Sequence, residues 1–171
     1  KLKLTAVMNN NWSTFTLTGN YTAPVSEIYR VWATQKGIEK WFLRKAVFLT
    51  PEGARLADDA YIQAGDTYEW FWHGFDDTVA ETGHILEANG KDFLRFTFTA
   101  GCIVTIRIYT RESETLVELT QSEIPQESDP AKNLYVQCSH GWLFYLTNLK
   151  SYLEGGIDLR NKTVKLTSHF K

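Results

Sequence analysis

The sequence predicts an α+β fold in one domain: a curved antiparallel sheet wrapped around a long C-terminal helix, with two short helices after the first strand. Three patterns predict it. An amphipathic stretch from Pro130 to Glu154 repeats apolar residues at helical spacing. The segments Thr67–His73, Thr78–Glu87, Asp92–Phe98, Cys102–Arg111 and Thr115–Glu123 alternate apolar and polar residues between short turn-rich breaks. Between a first alternating segment and this meander lie two shorter helical patterns.

In chain order, Thr14–Thr22 sets Phe15, Leu17 and Tyr21 against threonines, the period of a half-buried strand, with Gly19 marking a bulge or a close approach. Pro24 opens a helix at its first turn, where a missing N–H is harmless, and Val25, Ile28, Tyr29 and Trp32 recur at helical spacing. Gly37 punctuates it, and Ile38, Trp41 and Phe42 start a second short helix. Ala46–Leu49 is a candidate strand. Thr50–Gly65, with Pro51, Gly53, Asp58 and Asp59, reads as a loop that Leu56 and Tyr61 pin down.

The meander then turns at Gly74–Asp77, Asn89-Gly90, Ala100-Gly101 and Glu112–Glu114, the connections that antiparallel hairpins use. Alternation places Tyr68, Trp70 and Trp72 on one side, with Leu94, Phe96 and Phe98, the row Cys102, Val104, Ile106 and Ile108, and Val117 and Leu119. Arg95, Thr97, Arg107, Glu118 and Thr120 take the opposite, solvated phase. The final helix turns Cys138, Trp142, Tyr145, Leu146, Leu149, Tyr152 and Leu153 toward the sheet and ends at Gly155 or Gly156.

At 171 residues the chain suits a single domain over 1–171, its core spanning about 14–160. A net charge of −2 without a block of like charges argues against a nucleic-acid partner. No run of roughly 18 apolar residues and no secretory-type N-terminus occur, so the expectation is a cytoplasmic protein without a membrane span. Cys102 and Cys138 sit in apolar periodic segments and read as reduced thiols.

No catalytic motif stands out: GxSxG, HExxH, a P-loop and CxxC are all missing. His73, His84, His140 and His169 lie on separate segments, which argues against a metal site. Asp66 and Glu69 border the aromatic strand and would serve as acid or base only if desolvated; Asp76-Asp77 reads as a turn pair. Neither a catalytic residue nor a cofactor is expected.

The order strand, two short helices, meander, long helix comes with a set of local motifs. These are Tyr21-Thr22-Ala23-Pro24 leading to Val31-Trp32, Ile38-Glu39-Lys40-Trp41-Phe42, and His140-Gly141-Trp142 followed by Leu146 and Asn148 to Gly155. From Phe15 to Arg160 the chain resembles the helix-grip, START-like (SRPBCC) superfamily. More narrowly, it is similar to bacterial proteins related to the C-terminal domain of the activator of the Hsp90 ATPase. The resemblance implies a sheet gripping the last helix with a cavity between them.

The aromatic excess, 14% of the chain with six Trp and ten Phe, is concentrated on the inward phase and suits that cavity or a dense core. The lining expected from the pattern is Trp41, Phe42, Trp70, Trp72, Phe96, Phe98, Trp142, Tyr145 and Leu149, enclosing a hydrophobic or amphipathic small molecule or lipid without covalent chemistry. The resemblance implies two alternatives: a co-chaperone-like regulator of an Hsp90-type ATPase, or a cyclase- or hydratase-like enzyme using the same cavity. A homodimer is compatible with each.

Overall fold

The computed structural model describes residues 11–127, 129 and 133–163. The first threonine-rich alternation folds as β1 (Phe15–Tyr21), and the helical patterns that follow fold as α1 (Val25–Ala33) and α2 (Gln35–Trp41). The meander gives β2 (Lys45–Leu49), β3 (Thr67–Phe71), β4 (Ala80–Ala88), β5 (Phe93–Phe98), β6 (Cys102–Arg111) and β7 (Glu114–Ser122), and the chain closes with α3 (Leu134–Leu153). All strand pairs are antiparallel in one seven-stranded sheet of order β1-β7-β6-β5-β4-β3-β2. The fold is thus the expected α+β helix grip.

This order puts β1 and β2 at opposite edges of the sheet, so α1 and α2 carry the chain from one edge to the other. Their faces explain how. Ile28, Tyr29, Val31 and Trp32 of α1 and Ile38 and Trp41 of α2 are buried, so both helices pack into the concavity rather than bridge through solvent.

One of these boundaries differs from the sequence reading, at Gly37, and the structure decides between the two readings of Gly19. Gly37 does not end the first helix; Thr34 does, capping α2 by accepting the Gly37 N–H at 3.0 Å. A Cβ on Gly37 would stand 2.5 Å from the Val31 Cα and 2.6 Å from the Arg30 carbonyl, so glycine is there to let two helix backbones touch. Gly19 makes a close approach rather than a bulge: the β1–β7 register is unbroken, and its missing Cβ leaves room for the Tyr21 ring. Helix α3 begins at Leu134, with the Asn133 side chain accepting the Tyr135 N–H at 2.9 Å. The earlier start at Pro130 falls on residues outside those described.

The 50–65 loop holds no regular element beyond a bridge between Leu49 and Arg55. Its main anchor is Ile62, which is buried, whereas Leu56 packs from the side and Tyr61 stays largely exposed while stacking on Tyr29. Along α3 the buried face is Trp142, Leu146, Asn148 and Leu149, with Cys138, Tyr145, Tyr152 and Leu153 packed at its margins. Burying a large apolar side chain stabilises by about 1.5–3 kcal/mol, which makes this face a principal stabilising feature.

The fully buried Asn148 is the exception on that face, and its amide is used completely. It donates to the Trp41 carbonyl at 2.6 Å and to Asp158 at 3.3 Å, and accepts the Leu159 N–H at 2.7 Å. The segment after α3 is thereby held under α2. There Arg160 donates to the Glu39, Leu43 and Lys40 carbonyls at 2.9, 2.8 and 2.8 Å, satisfying the open C-terminal end of α2.

Candidate functional site

Where the sheet leaves α3, near the start of the helix, an open cleft of ≈ 260 Å³ remains between the two. The sequence accounts for it locally. Strand β3 stops at Phe71, so Trp72 leaves the sheet at the rim; β5 stops at Phe98, where a short turn over Thr99–Gly101 lifts the chain away. Opposite them α3 carries Gly141, at which a Cβ would meet nothing within 4 Å. Bulk is missing at this one of the helical positions that line the gap.

Phe42, at the C-cap of α2, is the hub of the lining. Its ring stacks on Trp142 with centroids 5.1 Å apart and meets Tyr145 edge-on at 4.6 Å and Trp72 edge-on at 6.3 Å. Phe98 approaches Trp142 at 5.3 Å from the sheet side. Five of the aromatic residues expected from the sequence, Phe42, Trp72, Phe98, Trp142 and Tyr145, therefore surround one space. The other four expected positions do not reach it. Trp41, Trp70, Phe96 and Leu149 are buried in the solid core behind, where Trp41 packs on Trp32 and Trp70 on Tyr68 and Phe96.

Orientation of the wall is fixed by a polar contact. The Trp142 indole N–H donates to the Gln121 side-chain oxygen at 2.8 Å, while the Gln121 nitrogen and the indole nitrogens of Trp32 and Trp70 are buried without a hydrogen-bond partner among the described residues. The two thiols lie close by: Cys138 lines the cleft, Cys102 is fully buried, and both are free. Burial pushes both thiols up, which suits inert groups rather than nucleophiles.

Sequence reasoning missed the carboxylate that belongs to this site. Glu81 stands on β4 opposite Trp70 and lines the cleft; burial pushes its carboxyl up from the ordinary range, and the Thr99 side chain partly offsets this by hydrogen bonding to it. The acids singled out from the sequence lie elsewhere. Glu69 is exposed, and Asp66 is a buried turn residue accepting the Gln63 N–H at 2.8 Å. Asp76 accepts the Thr78 N–H at 2.9 Å and Asp77 pairs with Arg44, as turn residues do.

His73 follows β3, His84 lies exposed on β4 and His140 exposed on α3; His169 is outside the described residues. Among the described residues no group of His, Cys, Asp or Glu gathers to hold a metal ion, and no helix is long and apolar enough to cross a membrane. A broader depression of ≈ 450 Å³ lies over β3–β5, with Thr67, Glu69, Thr82 and His84 on its polar floor. It lacks the aromatic enclosure of the smaller cleft.

Solved structures share this architecture. The Aha1 dimer from Colwellia psychrerythraea superposes with a TM-score of 0.63 at 17% identity, over 84% of this chain and 97% of that one. A Staphylococcus saprophyticus protein gives 0.64 at 18% identity, over 86% and 96%. A Plasmodium falciparum protein described as an HSP90 activator gives 0.59 at 14% identity, over 84% and 96%. No curated protein matches the chain by sequence. The likeness to these structures is one of fold. A family model does match, across residues 22–154 and so from the end of β1 through α3, and on that match the chain belongs to the family described as Activator of Hsp90 ATPase homolog 1-like protein.

Proposed function

We propose that the protein binds a small hydrophobic or amphipathic molecule, without covalent chemistry, in the cleft between the sheet and the first half of α3. The observation that carries this reading is the cleft lined by five aromatic rings, with Glu81, Thr99 and Gln137 at its polar margin. A filled core would have closed it, as the packing around Trp41 and Trp70 does next door. At ≈ 260 Å³ the space sits at the small end of ligand pockets and fits a compact ring system or a short acyl chain. Native mass spectrometry after gentle purification, with titration of a neutral lipophilic dye, tests it. A bound small mass or saturable dye binding supports the reading; neither one being found overturns it.

A second reading is regulation of an Hsp90-type ATPase. Family membership and the fold shared with the HSP90 activator from Plasmodium falciparum favour it. So does the outer face of α3, where Val136, Leu143 and Phe144 are exposed at 38%, 55% and 42%. A changed ATPase rate of the host chaperone on adding this protein supports that reading; an unchanged rate without co-purification removes it.

A further inference from the structure

We propose that the cleft selects apolar ligands carrying a protonated amine and rejects those carrying a carboxylate. The inference rests on the cleft being the ligand site argued above. Its starting point is the lining: Glu81 is the one formally charged residue, and no lysine, arginine or histidine contributes, among the described residues.

Three observations converge on that selectivity. The carboxylate of Glu81 is part-buried and hydrogen-bonded by the Thr99 side chain, so part of its hydration is lost, and among the described residues no cation pairs with it. The space is walled by the rings of Phe42, Trp72, Phe98 and Trp142, and aromatic rings attract ammonium groups more than carboxylates. The basic side chains nearby are occupied: Arg44 pairs with Asp77, and Arg160, whose charge reaches Tyr145, is held by Asp158 at 2.7 Å and by the carbonyls of α2. An ammonium group entering beside Glu81 forms an ion pair with a part-buried carboxylate and lies among aromatic rings. A carboxylate in the same place meets repulsion from Glu81 and finds no cation.

The test uses three ligands that share a ring and differ in charge: naphthylmethylamine, naphthylmethanol and naphthoate. Each competes with a neutral lipophilic dye on the wild-type chain and on Glu81→Gln. The expected order is amine, then alcohol, then carboxylate, with the amine ahead of the carboxylate by about tenfold or more. Glu81→Gln weakens the amine by about tenfold and leaves the alcohol within about twofold. Equal affinities, or a carboxylate that binds best, overturn the selectivity while leaving the cleft as a ligand site. An amine preference that survives Glu81→Gln also overturns it. Binding of neither the dye nor any of the three ligands removes the ligand-site reading itself, and the selectivity with it. The wild-type order alone is decisive if the variant fails to fold.

Discussion

The indole of Trp142 on α3 is tied to Gln121 on β7 by a hydrogen bond of 2.8 Å, and the same ring stacks on Phe42 at 5.1 Å. One residue thus joins the gripping helix to the sheet and forms a wall of the cleft. Gln121 is fully buried, and the Trp142 indole supplies a donor to its side-chain oxygen.

Trp142→Phe keeps an aromatic wall and removes the indole donor from the buried Gln121 oxygen. The expected loss is about 1–3 kcal/mol. Gln121→Leu should cost less, because it removes a stranded N–H as it creates another. Urea denaturation of the two variants checks the order.

Two helix-interior glycines should respond to alanine with opposite signs. Gly141→Ala meets open space and gains helix propensity, so stability should rise by about 0.5–1 kcal/mol. Gly37→Ala drives a methyl into the α1 backbone and should lower stability by about 1–3 kcal/mol despite the same propensity gain. Calorimetric melting of both variants distinguishes packing from propensity.

Arg160→Met removes three bonds to the carbonyls of Glu39, Lys40 and Leu43. The expected loss is about 2–4 kcal/mol. Amide exchange at Phe42 and Leu43, whose N–H groups donate to Ile38 at 3.0 and 3.2 Å, should quicken ahead of exchange in β6 and β7.

Acid should weaken the same clamp. The Arg160 guanidinium holds the Asp158 carboxyl well below the usual carboxylate range, with Lys162 adding to the effect and burial opposing it. A depressed folded pKa gives stability that is full above the unfolded value of roughly 4 and is lost as pH falls from there toward the folded value. Asp158→Asn should therefore flatten the fall in stability below pH of about 4, measured by denaturant melts across the acid range.

The fold was legible in the sequence because periodicity reports direction: Tyr68, Trp70 and Trp72 do share a side, as do Leu94, Phe96 and Phe98. Depth was not legible. Trp70 and Trp72 read alike, yet Trp70 lies inside β3 and is sealed by Tyr68 and Phe96, whereas Trp72 falls one residue past the strand and reaches the rim. Phe96 and Phe98 separate in the same way at the end of β5. Glu81 was invisible because it stands in a polar alternating strand and owes its place to the register that sets it opposite Trp70. Gly141 carried a usable signal, a glycine on the inner side of a long amphipathic helix, where a missing side chain leaves space.

That glycine allows a direct test of whether a ligand sits in the open space between α3 and the aromatic strand ends. Gly141→Leu fills the cleft from the helix side with a good helix former and disturbs no contact within 4 Å of the added Cβ. Titrating a neutral lipophilic dye into wild type and Gly141→Leu, with melting temperatures recorded for both, is the measurement. The variant is expected to melt no lower than wild type and to lose dye binding by about tenfold or more. Unchanged dye affinity in a folded Gly141→Leu variant would contradict this placement of the ligand.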